Sequence, residues 1–159
     1  MYSSNDLGFA VGAVMAVFIL IVLAISITIA ILYLMNLQNL LKEIAPKNRL
    51  VEPGNVWLML IPLFNIIYPF ILYPKICDSV KAEFEFRGNP EAGDYGRALG
   101  ITMPILGLVG FVPFLGTFAG LANLVIFIIF WVKMAEYKNK LKKMHKSGDG
   151  ISASSELID

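Results

Sequence analysis

The sequence predicts an all-α integral membrane protein: a four-helix bundle with a kinked second helix, a tight hairpin between helices 3 and 4, and a cytoplasmic amphipathic helix extension. Three observations lead there. Of 159 residues, 57% are hydrophobic and only 16% charged, with a mean hydropathy of +0.71, whereas soluble domains run about 45–50% apolar and about 25% charged. The apolar residues also lie in long uncharged blocks instead of being interspersed with charge. The last block is broken in its middle by Pro113, between Gly110 and Gly116. One Cys and one His are too few for a disulfide framework or a thiolate-rich metal site. A net charge of +1 gives no strong attraction to nucleic acid.

The first block runs uncharged from residue 7 to residue 41, well beyond the roughly 20 residues that cross a bilayer. A span is expected over 9–34, started by the capping candidates Ser3, Ser4, Asn5 and Asp6. Leu37, Leu40, Leu41 and Ile44 then form an apolar stripe on protruding turns, and Pro46 ends the helix by disfavouring helical geometry at Ala45. A cleaved signal peptide is the competing reading. It is disfavoured because the first basic residue is Lys42, whereas a signal peptide carries its charge ahead of the apolar run.

The second span is expected over 56–73. Pro62 and Pro69 flank Asn65, so this is a kinked crossing or, alternatively, a re-entrant segment. Pro74 suits the first position of a new helix that carries Ile76, Val80 and Phe84 on one stripe. The i,i+4 pairs Lys81 with Glu85 and Glu83 with Arg87 suit a solvated face. Turn residues from Arg87 to Asp94 close this excursion.

Residues 98–132 would make one helix of roughly 52 Å, too long for a single crossing. The turn at 110–116 divides them into spans at 97–112 and 116–135. A basic tail follows, and the polar residues 147–159 are expected to be disordered. Residues 1–146 thus form a single transmembrane domain. Four spans would leave both termini and the 74–97 loop on one side, with ten of the thirteen Lys and Arg residues, and Lys42, Lys47 and Arg49 on the other. The positive-inside rule makes the first side cytoplasmic. Tyr33 and Trp57 would mark the outer boundary, and Tyr73, Tyr95, Trp131 and Tyr137 the inner one.

No ionisable side chain falls within the four apolar cores, which argues against a proton-coupled transporter. Asn65 and Asn123 are the candidate ligand or helix-packing polar residues at depth. Lys138, Lys140, Lys142, Lys143 and Lys146 are the candidate contacts to anionic lipid head groups, or alternatively partners for Asp78, Glu83 and Glu85. The stripes Gly8/Gly12/Ala16, Gly96/Gly100 and Gly116/Gly120 allow close helix approach, within the bundle in preference to a dimer. Cys77 and His145 have no evident catalytic partner. The expectation is therefore no enzyme, no cofactor and no metal.

The run Val56-Trp57-Leu58-Met59-Leu60-Ile61-Pro62-Leu63-Phe64-Asn65, the amphipathic stretch 75–86 and the closing Phe130-Trp131-Val132-Lys133-Met134-Ala135-Glu136-Tyr137-Lys138 resemble small four-span bacterial membrane proteins, notably of the Bacteroidota. The likeness covers residues 36–141. It implies an inner-membrane location and transfers no activity. The expected role is a structural or accessory component whose partners are membrane lipids and a protein bound through the 75–87 helix and basic tail. A small channel or transporter for a neutral or lipophilic solute is the alternative.

Overall fold

The computed structural model describes residues 4–155, with side chains over residues 8–147. Every regular element among them is helical: α1 (Ser4–Lys42), 3-10 helices at Pro46–Asn48 and Pro53–Leu60, the one-turn α2 (Phe64–Ile67), α3 (Pro69–Phe86), α4 (Arg97–Val109) and α5 (Leu115–Ser155). Two stretches are long and apolar enough to cross a membrane, Gly8–Lys42 and Leu115–Ser147. In the most apolar window of the first no residue is buried, and in that of the second 11% are. The core helix of a soluble protein would be covered there.

The chain divides into two units, Met1–Met35 and Asn36–Asp159. The first is most of α1, with Phe9, Val14, Phe18 and Leu20 exposed. In the second, the expected stripe Leu37, Leu40, Leu41 and Ile44 is fully buried, as are Ile76, Val80 and Phe84 of α3 and Phe130, Met134 and Leu141 of α5. Phe84, Tyr95 and Tyr137 complete this core as a ring triangle with centroid separations of 5.6–5.7 Å. Tyr95 and Tyr137 are therefore core residues.

Prolines set the local breaks. Ala45, Glu52 and Ile61 each precede a proline and each is extended, with ψ of 141°, 141° and 116°, because the following ring disfavours helical geometry. The second expected span, 56–73, is accordingly no continuous helix: a 3-10 stretch, a turn and α2 lead into α3. Pro69 and not Pro74 opens α3; Pro74 lies inside it. Pro69 already occupies the N1 position that proline suits, and the missing Pro74 N–H leaves only the Phe70 carbonyl without its helical donor.

Two contacts bear against the alternating orientation expected from four spans. Ala45 N–H donates to Glu83 Oε2 at 3.0 Å, and Leu50 N–H donates to Ser79 Oγ at 2.9 Å. The 42–55 loop and the 74–97 segment lie side by side, whereas four crossings require a hydrocarbon layer of about 30 Å between them. The polar tail expected over 147–159 lies partly in α5, whose helical backbone reaches Ser155, and partly outside the described residues, as does the capping candidate Ser3.

Close approaches separate the glycine stripes. A Cβ on Gly100 would lie 2.9 Å from Tyr73 Cβ and 3.3 Å from the Phe130 ring, and one on Gly116 would collide with the Gly110 carbonyl oxygen. Gly8, Gly12 and Gly120 have nothing within 4 Å, so intramolecular packing does not account for them.

Candidate functional site

Two polar arrangements stand out, one at each end of the Asn36–Asp159 unit. At the charged end, Glu83 is 1% exposed, although its i,i+4 spacing to Arg87 suits a solvated face. Its Oε2 accepts from Ala45 N–H and from Asn48 Nδ2 at 2.6 Å, while Oε1 accepts from Arg87 Nε at 2.7 Å. Burial alone would raise this carboxyl; the bonds from Asn48, Arg87 and Ala45 outweigh it and hold the group below the usual glutamate range. Arg87 also donates to the carbonyls of Leu141 and Glu43, both at 3.0 Å. One ion pair thus ties the end of α1, the C-terminal half of α3 and α5 together. Such a pair fixes geometry more than it adds stability.

Around this node the charges are committed locally. Asp78 takes Arg97, Lys81 takes Glu85, and Lys47 sits 3.3 Å over the Phe86 ring. Asp94 accepts from Ala98 and Gly96 N–H, at 2.7 and 3.0 Å, at the start of α4. The Ala98 bond leads in holding its carboxyl below the usual range against the opposing effect of burial, and the Gly96 bond adds to it.

The lysine candidates divide. Lys138 donates to Asn36 Oδ1 at 2.8 Å, and Lys140 bridges Glu91 and Glu136 at 2.8 and 2.9 Å. Lys142, Lys143 and Lys146 are exposed. The alternative pairing of the tail with Asp78, Glu83 and Glu85 gives way to Lys140 with Glu91, because those three acids already have nearer cations. Cys77 is 1% exposed, and burial, reinforced by Asp78 and Asp94, pushes its thiol up to about 12. A buried thiol kept protonated is a poor nucleophile. Among the described residues no three His, Cys, Asp or Glu side chains converge as a metal ligand set.

At the apolar end, Asn65 and Asn123, 58 positions apart in the sequence, line one groove of ≈ 520 Å³ with residues of α3 and α4. Pro69, Pro104, Gly107 and Gly120 also border it, so small and ring side chains leave the space that Leu or Phe would fill. Asn123 Oδ1 is buried with no hydrogen-bond partner in the protein. The sequence marked both amides; that they share a groove depends on the chain reversal between α4 and α5.

No family model, no curated protein and no solved structure matches this chain.

Proposed function

We propose that the protein is a membrane-embedded accessory subunit or scaffold. α1 crosses the bilayer, while residues 53–73 and the α4–α5 reversal enter lipid from the face that holds the charged end. The observation that carries this reading is the bond from Ala45 to Glu83. On this reading Lys42, Lys47 and Arg49 share the side of the other ten cations, and all thirteen Lys and Arg residues lie at one face. The positive-inside rule makes that face cytoplasmic. One crossing by α1 then puts the N-terminus on the opposite face, in place of the shared cytoplasmic side expected from four spans.

Lengths support the arrangement. α4 has 13 residues, about 20 Å, short of a full crossing. The turn after it presents Phe111 and Phe114, 80% and 92% exposed, and Phe118 follows on α5; aromatic and aliphatic surface of this extent suits lipid and not water. The inner-membrane placement implied by the likeness of residues 36–141 to bacterial proteins belongs to the same proposal. At the charged face, exposed Lys142, Lys143 and Lys146 suit anionic head groups or an acidic partner surface. Purification from native membranes in mild detergent tests the role. A stoichiometric partner lost on replacing these three lysines with glutamate supports it; a chain that is solitary in every preparation overturns it.

A small channel or transporter for a neutral or lipophilic solute is the second reading, favoured by the groove that Asn65 and Asn123 share. Flux in proteoliposomes that Asn65→Leu leaves unchanged would remove Asn65 from it.

A further inference from the structure

The groove between α3, α4 and α5 has the features of a ligand site. Its volume of ≈ 520 Å³ falls among small-molecule sites, which run about 300–1,000 Å³ and combine apolar walls with a few placed polar groups. None of its lining residues is Asp, Glu, Lys, Arg or His. A charged head group would sit there unpaired, at high cost in lipid. The polar side chains it does offer are the amides of Asn65 and Asn123 and the phenol of Tyr73, and Asn123 Oδ1 is an acceptor without a donor. Pro69 supplies no N–H, so the carbonyl of Asn65 loses the usual helical donor as well. The groove thus offers N–H donors on its amides beside acceptors that lack a donor, a combination that suits a hydroxyl, which both donates and accepts.

Access fits the same chemistry. Ile66, Leu108, Phe111 and Leu124 line the groove and are themselves exposed, so an apolar chain can enter along them from surrounding lipid. Space is present at Gly120, where a Cβ would meet nothing within 4 Å, and beside Gly107, where a Cβ would lie 3.9 Å from Asn123 Nδ2.

We propose that this groove binds a neutral membrane lipid bearing a free hydroxyl, with the hydroxyl donating to Asn123 Oδ1 and the acyl chain lying along α4 and α5. The proposal rests on the reading that this end of the protein lies in lipid, and the test separates the two.

The full chain is reconstituted in phospholipid vesicles containing a diacylglycerol with a photoactivatable diazirine in one acyl chain. Parallel samples carry the same lipid with its hydroxyl methylated, or a diazirine phosphatidylglycerol. Labelled peptides are mapped by mass spectrometry. The hydroxylated probe should label peptides of α4 and α5 around Gly107 and Asn123 at least fivefold more than either control probe. Asn123→Leu should abolish that preference. Gly120→Leu, whose Cβ meets nothing within 4 Å and whose side chain occupies groove space, should do the same and keeps the test decisive if Asn123→Leu fails to fold. Equal labelling by all three probes, or a preference that survives Gly120→Leu, overturns the proposal. Labelling of residues 14–23 of α1 by every probe with none in the groove sinks the lipid site alone. If neither α1 nor the groove is labelled, the membrane reading falls too.

Discussion

Glu83 accepts the backbone N–H of Ala45 at 3.0 Å across 38 positions of sequence. The end of α1 at Lys42 makes the bond possible: Ala45 lies beyond the helix, so its N–H can turn toward α3. Glu83→Gln keeps the shape but leaves Arg87, whose side chain is 18% exposed, without its counter-charge. Removing one partner of a buried pair costs roughly 3–5 kcal/mol; partial exposure of Arg87 puts the expected loss near the lower end, about 3 kcal/mol. Denaturant unfolding in a mild detergent measures it. A loss below about 1 kcal/mol, the worth of an ordinary hydrogen bond, would show that the network does not hold these segments.

The same carboxyl sets an acid dependence. Its folded value lies below the ordinary 4.5, so the proton binds the unfolded chain more tightly. The stabilisation is complete above that ordinary value and is lost as pH falls through it and then through the lower folded value. Asp94, held below 3.8, contributes in the same direction at more acidic pH. Thermal unfolding between pH 7 and pH 3 should show a steeper acid decline in the wild type than in Glu83→Gln. Parallel curves would mean that Glu83 titrates alike in both states.

Much of this was legible and some was not, for reasons that lie in particular residues. The stripe Leu37, Leu40, Leu41 and Ile44 reads directly from helical spacing, and it is buried. Glu83 was misread because its charge and its i,i+4 relation to Arg87 fit a solvated face equally well. Its spacing held the correct signal: seven residues from Ile76 and three from Val80, it shares their stripe. The orientation was out of reach of hydropathy, which measures how apolar a segment is and not whether it returns to the side it left. Asn65 and Asn123 could be named as polar groups at depth; their common groove follows from tertiary packing alone.

Site-directed labelling tests the sidedness. Lys47→Cys, Asn89→Cys and Lys143→Cys should all react with an impermeant maleimide from one face of sealed vesicles, and Asn5→Cys from the other. Native Cys77, buried and with its thiol pushed up to about 12, should stay unlabelled until the protein is unfolded, because the thiolate is the reactive form. Four alternating crossings would place Lys47→Cys opposite Asn89→Cys, and that outcome would reject the arrangement proposed here.

Gly100 and Gly120 should respond oppositely to added side chains. A Cβ at Gly100 collides with Tyr73 Cβ at 2.9 Å, an atom fixed to the backbone of α3 that cannot swing aside. Gly100→Val should therefore cost about 1–3 kcal/mol through overpacking. At Gly120 nothing lies within 4 Å, so Gly120→Ala should gain up to about 1 kcal/mol from helix propensity. Unfolding midpoints of the two variants in one detergent decide; a neutral Gly100→Val would mean that α3 and α4 approach less closely.

Phe114 and Tyr95 both hold positive φ, 66° and 54°, a conformation that costs a residue with a Cβ roughly 1–2 kcal/mol and glycine nothing. Their surroundings make the outcome of replacement opposite in sign. Phe114 is 92% exposed, so Phe114→Gly in detergent relieves strain, gives up little packing, and should stabilise by about 1 kcal/mol. Tyr95 is 3% exposed, touches the Phe84 and Tyr137 rings, and its hydroxyl accepts the Glu91 N–H at 2.7 Å. Tyr95→Gly gains the same strain relief but loses a buried aromatic worth about 3–5 kcal/mol, so it should destabilise by at least about 2 kcal/mol. Denaturant unfolding of both variants against wild type reads the signs, and a Phe114→Gly protein less stable than wild type in detergent would show that this ring makes contacts which offset its strained backbone.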